Sequence, residues 1–201
     1  MSKPVQEYVR QVLAEYDRGD KIRRAFEHAN AKVNGMAAIA TYRRKSTHRA
    51  LFWEEAVEKF IELTHGDPGL RIVYHYDTVS FIFDDAVLVR LKKANLQLQS
   101  SNYPTQTAMM FHEHEADMFG FTGLQRVEAV YVPNRFDTGI IWSGVVARDG
   151  QTELWHQEFT MLFTMPAATL PHPVQPPAEA LAKVKNRAKG TEKNPEDGTA
   201  G

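Results

Sequence analysis

Cysteine is absent from the 201 residues. Disulfides therefore contribute nothing to stability, and thiolate nucleophiles and thiolate-bound zinc are excluded. The absence also fits a reducing compartment. No apolar run approaches the roughly 20 residues that span a bilayer. The opening MSKPVQEYVRQ is charged and amphipathic, without the continuous apolar stretch of a signal peptide. A cytoplasmic chain with no membrane attachment is the expectation. Glycine-rich phosphate loops are missing too, and Gly120-Phe121-Thr122-Gly123 reads only as a turn. Ser143, between Trp142 and Gly144, lacks the glycine-flanked elbow of a serine hydrolase.

What is present is a chain with enough apolar residues, 43%, to bury a sizeable core. Its length suits one domain with appendages. Net charge is −1, yet residues 1–49 carry 11 Lys and Arg against 5 Asp and Glu, while residues 50–165 carry 8 against 16. A basic arm of this kind can meet nucleic acid or an acidic partner, or can neutralise the acidic body of its own molecule.

The apolar period divides the chain. Val5, Tyr8, Val9, Val12, Leu13 and Tyr16 predict a helix over 4–17 that stops at Gly19. Asp20 is placed as the N-cap of a second helix carrying Ile22, Phe26, Ala29, Val33, Met36 and Ala40. Ser46 or Thr47 is placed as the cap of a third, with Trp53, Ala56, Val57, Phe60 and Ile61 inward, ended by Gly66-Asp67-Pro68-Gly69. Beyond residue 70, β-branched and aromatic runs predict strands at 71–76, 80–84, 86–93, 126–132, 139–147 and 152–159. Alternation puts Trp142 on one face with Ile140 and Ser143 on the other with Ile141. A helix over 103–119 joins the two strand groups, with Pro104 in its first turn. Five prolines between 166 and 177 open a linker, followed by a polar end. The fold class is therefore α+β: about three N-terminal helices on an antiparallel sheet of about six strands, with one inserted helix and a disordered tail. The boundaries are 1–66 basic helical region, 67–165 sheet domain and 166–201 linker and tail.

Three constellations bear on chemistry. His112-Glu113-His114-Glu115 offers His112 and Glu115 on one helical face, as a general base or two metal ligands, with His75 or His156 as further donors. The two histidines are not four apart, as a helical zinc-peptidase site needs, so no metal or other cofactor is expected. Arg90, Lys92 and Lys93 precede Asn102 and Thr105 at a helix start, where free N–H groups and basic side chains can hold a phosphate. The plain alternatives are helix capping and edge protection. Arg43, Arg44, Lys45 and Arg49, with Arg23, Arg24 and His48, could dock on nucleic acid, although no recognition motif accompanies them.

Arg90, Lys92, Lys93, Ser101, Asn102, Pro104, Thr105 and Ala108, with the later VEAVYVPNRFDTGIIWSGVV, carry a resemblance over residues 70–160. The chain resembles a family of uncharacterised bacterial and phage proteins similar to components of toxin–antitoxin or phage-immunity modules. The resemblance implies a non-enzymatic, protein-binding or regulatory component of such a system, working with a protein partner or a second copy of itself. The other expectation is an enzyme acting on a phosphate-bearing substrate, a nucleotide or nucleic acid, with Arg90, Lys92, Lys93 and Asn102 on the phosphate.

Overall fold

Three- and four-residue apolar steps build the helical layer of this computed structural model, which describes residues 3–36, 44–75, 78–100, 106–114, 119–120 and 123–162. Helix α1 (Gln6–Ala14) buries Val9, Val12 and Leu13. Helix α2 (Arg18–Gly35) buries Ile22, Ala25, Phe26, Ala29 and Val33. Helix α3 (Lys45–Leu63) buries Phe52, Ala56, Val57 and Phe60, with Trp53 and Ile61 half-buried beside them. The break between α1 and α2 lies earlier than Gly19. A 3-10 turn, Glu15–Asp17, carries Tyr16 (φ 51°) and Asp17 (φ 54°) in the left-handed region, and Gly19 and Asp20 are inside α2. Asp20 is thus not a cap; its carboxylate pairs with Arg23. Nor do Ser46 and Thr47 cap α3, which starts at Arg44 without a side-chain hydrogen bond. Residues 37–43 lie outside the described set, as do residues 163–201 with the expected linker and tail.

Six strands follow: β1 (Leu70–His75), β2 (Thr78–Phe83), β3 (Val87–Lys93), β4 (Gln125–Pro133), β5 (Ile140–Asp149) and β6 (Thr152–Glu158), in spatial order 1 to 6. Four of the five pairings are antiparallel, so the sheet is two meanders. The central pair, β3 with β4, is parallel, with Arg90 opposite Glu128 and Lys92 opposite Val130. The six-stranded, mostly antiparallel sheet expected from the sequence is present, with this one parallel pair at its centre. The cause is the long connection, residues 94–124, which returns the chain to the starting end of β3 and so sets β4 in the same direction. Helix α4 (Gln106–His112) lies in that connection; it ends at His112, short of the expected end at 119, and residues 103–105 lie outside the described set.

Strand alternation gives the sheet two buried faces. Phe81, Phe83, Val87, Val89, Leu91, Val127, Ala129, Tyr131, Val145 and Ala147 form one core with α1–α3. Ile82 and Leu88 face the other way, against Phe111 of α4 and Leu124; Val130, Val132 and Val146 share that side. A register shift opposite Val132 and Pro133 makes Ile141 a bulge residue. Ile140 consequently packs with the helices and Trp142 on the crossover face, contrary to simple alternation. Helix α5 (Phe159–Leu162) ends the described chain. All the described residues belong to one compact unit, Met1–Thr164.

One buried ion-pair network ties helices to sheet. The fully buried Arg18 guanidinium donates to both Asp67 oxygens (2.7 and 2.9 Å) and both Asp84 oxygens (2.5 and 3.0 Å), and to the Val12 carbonyl at 3.0 Å. It also lies over the rings of Phe83 (4.9 Å) and Tyr16 (5.2 Å). Gly69 is required beside it, because a Cβ there would overlap the Asp84 carboxylate and the Arg18 guanidinium. Removing one partner of such a pair strands the other charge, at a cost of about 3–5 kcal/mol. Arg18→Met should accordingly lower the urea midpoint strongly, and Gly69→Ala should do so by displacing the same groups. The hydrogen bonds from Arg18 hold the Asp67 carboxyl below its usual range. The folded chain therefore takes up that proton less readily than the unfolded chain. The stability involved is complete above the unfolded pKa, about 3.9, and is lost as pH falls below it toward the depressed folded value. Urea unfolding at several acid pH values checks this; Arg18→Met should flatten the dependence, and an unchanged acid limb would refute it.

Candidate functional site

The crossover face holds charge where a sheet face is ordinarily apolar. Arg90 and Lys92 project from β3, and Arg126 and Glu128 from β4; all four are aligned by the parallel register. Arg148 of β5 joins them, and His112 and His114 descend from the end of α4. Arg90, Arg126, Glu128, Arg148 and His114 are all buried. Charged groups almost never sit this deep unless they are paired. Among the described residues, one carboxylate, Glu128, stands against four cations.

Two of the cations have structural work. The Arg126 guanidinium donates to the carbonyls of Met110 (2.5 Å) and Glu113 (3.0 Å), satisfying the last turn of α4 where basic groups are favourable. Arg148 donates to the Leu98 carbonyl at 2.7 Å and so holds the beginning of the crossover. The Arg148 carbonyl accepts from His114 Nε2 at 2.6 Å, which places the ring proton on Nε2 and leaves Nδ1 buried with no hydrogen bond to a described residue.

The other two are less fully engaged. Arg90 donates Nε to the Ser80 hydroxyl at 3.1 Å and lies over the Phe111 ring at 4.4 Å, while its buried Nη2 makes no hydrogen bond with a described residue. Burial pushes its guanidinium down to about 10, against the opposing pull of Glu128. Burial also lowers the Lys92 ammonium, again against Glu128, and the neighbouring Arg90 adds to the lowering. No hydrogen bond or ion pair joins Lys92 to a described residue. Two cations press on each other here beside one shared carboxylate, and a bound anion would relieve both.

The expected site residues divide. Arg90, Lys92 and His112 come together, as the anion-binding and acid-base readings need. Lys93, one residue on, faces the helices instead and pairs with Asp137 at 2.6 Å near Arg49. It is removed from the phosphate set by strand alternation. Asn102, Thr105, Glu115 and Arg43 lie outside the described residues. His75 and His156 stand on the two edge strands of the sheet, too far apart to join His112. Among the described residues no group of three ligating side chains could hold a metal ion. The basic arm also splits. Arg23 pairs with Asp20 and Glu27, and Lys32 with Glu55, whereas Arg24, Arg44, Lys45 and Arg49 are exposed without an ion pair to a described residue. Arg126, Glu128 and Arg148 are the members of the cluster that motif and composition do not single out. The available signal is Arg126-Val127-Glu128-Ala129-Val130, two charges on one face of an otherwise apolar strand.

His112 Nε2 lies 3.7 Å from Glu128. Burial lowers the His112 pKa; Glu128 pulls it back up, and Arg148, His114 and Arg90 lower it further. The stability of the fold is therefore full above the unfolded histidine pKa of about 6.5 and declines as pH falls below it toward the folded value. In an NMR titration His112 should titrate below the ordinary range, and Glu128→Gln should lower it again by removing the one favourable charge. A rise in the variant would contradict this assignment of causes. No helix among the described residues is long and apolar enough to cross a membrane. No family model, no curated protein and no solved structure matches the chain.

Proposed function

We propose that this chain is a regulatory module that binds a phosphate-bearing ligand on the crossover face of its sheet. The observation that supports it most is Arg90 beside Lys92: a buried and a half-buried cation around one carboxylate among the described residues, with Arg90 Nη2 left without a described partner. Charge-assisted hydrogen bonds from a guanidinium to phosphate are among the stronger polar contacts, and a desolvated setting strengthens them. The resemblance noted in the sequence supplies the setting: a protein partner within a bacterial toxin–antitoxin, phage-defence or prophage system. The exposed Arg44, Lys45 and Arg49 at the start of α3 offer a contact surface for such a partner or for nucleic acid.

A catalytic reading draws on a different observation, the His112–Glu128 pair next to the same cations. There a neutral His112 would take a proton from a water attacking the phosphorus of an ester held by Arg90 and Lys92, and the departing alkoxide would take up a proton from solvent.

Calorimetric titration with inorganic phosphate at low salt is the test. Binding should be measurable at millimolar phosphate or below, and Arg90→Met or Lys92→Met should weaken it about tenfold or more, as loss of a charged hydrogen bond implies. Affinity should also fall as pH rises through the lowered Lys92 pKa, because the anion prefers the protonated amine. An absence of phosphate binding by the folded wild-type chain would overturn the proposal. Hydrolysis of a phosphate ester that is lost in His112→Ala, with phosphate binding retained, would decide for the catalytic reading.

A further inference from the structure

Strands β2 and β3 begin as a hairpin and then part. Their ladder runs from Phe83 opposite Val87 to Phe81 opposite Val89 and stops there. The Arg90–Ser80 side-chain hydrogen bond spans the next pair of positions. Beyond it, Thr78 and Val79 no longer pair with Leu91 and Lys92, although β2 remains bonded to β1 and β3 to β4. The separation leaves a cavity of about 230 Å³, lined by Trp53, Thr78, Val79, Arg90, Leu91 and Lys92.

The lining is two-sided because strand alternation is. Leu91 packs in the core under α1–α3, with Trp53 and Val79 against it. Arg90 and Lys92 point to the opposite face of the sheet, and Thr78 shares that face with Ser80 and Ile82. One wall is thus aromatic and aliphatic, and the other carries two cations. The Trp53 indole N–H makes no hydrogen bond with a described residue, and the strand edges that face each other across the cavity have left their ladder. These polar groups are open to water or to a ligand.

We infer that this slot between β2 and β3 binds a small aromatic phosphate monoester, with the phosphate on Arg90 and Lys92 and the flat ring against Trp53, Val79 and Leu91. The volume, about 230 Å³, suits a small ligand. Chemistry decides against a bare phosphate, which would leave the apolar wall uncovered. The inference rests on the phosphate reading above and adds the ring, so the two can fail separately.

The test compares phenyl phosphate with inorganic phosphate by calorimetric titration of the full chain, with the indole resonances followed by NMR. Phenyl phosphate should bind about tenfold tighter than inorganic phosphate, and it should shift the Trp53 indole N–H, assigned through Trp53→Phe. Trp53→Ala should abolish the preference while inorganic phosphate still binds as in wild type. Equal affinity for the two ligands, or a Trp53 indole unmoved at saturation, overturns the slot and leaves the phosphate reading standing. Binding of neither ligand overturns both. Should Trp53→Ala unfold, the indole shift in the wild-type chain decides the question alone.

Discussion

The parallel pairing of β3 with β4 is the constraint from which the remaining architecture follows. Two antiparallel meanders could lie side by side with one face in water. Joining them through a parallel pair requires a crossover, and its described residues, Phe111, Phe119 and Leu124 among them, pack on the face that α1–α3 leave open. The central strands are consequently buried on both sides, as parallel strands generally are. That burial changes the meaning of Arg90 and Glu128, which would be ordinary solvent-facing charges in an open sheet. Opposite each other across the parallel register, they become the centre of a desolvated cluster. Arg126 and Arg148 then fasten the crossover by its own carbonyls, so the covering segment is held by the charges it covers.

The helical side is held differently. Aromatic packing is dense there, with Phe60 edge-on to Phe81 at 4.7 Å and Phe52 stacked on Tyr131 at 4.0 Å. Packing of this kind fixes separation better than it fixes register. The Arg18 network supplies the register. Its two aspartates come from the α3–β1 connection and the β2–β3 turn, where Asp84 and Asp85 both adopt φ 52°. A forked guanidinium bonded to two carboxylates tolerates little displacement. It therefore sets where α2 begins relative to the hairpin that later parts to form the slot.

Much of the fold is legible in the sequence because its signals are local. The strands announce themselves through β-branched and aromatic runs, and α2 and α3 through their apolar steps. What is not legible depends on partners distant in the chain. Gly19 looks like a helix stop, yet the stop falls at Tyr16 and Asp17, two residues with weak local preference for a left-handed backbone, because Arg18 is committed to Asp67 and Asp84. The parallel pair is invisible to periodicity, which gives faces but not strand order or direction. Adjacency groups Lys93 with Arg90 and Lys92, although a period of two already separates it from them. Chemical type alone points to Arg90, Lys92 and His112. It does not point to Glu128, the charge that organises them, because Glu128 sits inside a run that otherwise satisfies every rule for a core strand.

A core that keeps four cations near one carboxylate among the described residues is not the most stable solution to packing this sheet. Replacing buried ion networks with apolar residues of similar volume is often neutral or stabilising. Arg126 and Arg148 repay part of their desolvation through carbonyls that would otherwise go unsatisfied. Arg90 recovers some through Ser80 and the face of Phe111, and Lys92 only through the charge of Glu128 among the described residues. The unrecovered cost is concentrated at the two residues that also line the gap between β2 and β3. Groups left short of partners in one place, beside a void, are the arrangement in which an anion gains most, because the protein has already desolvated and oriented the groups that receive it.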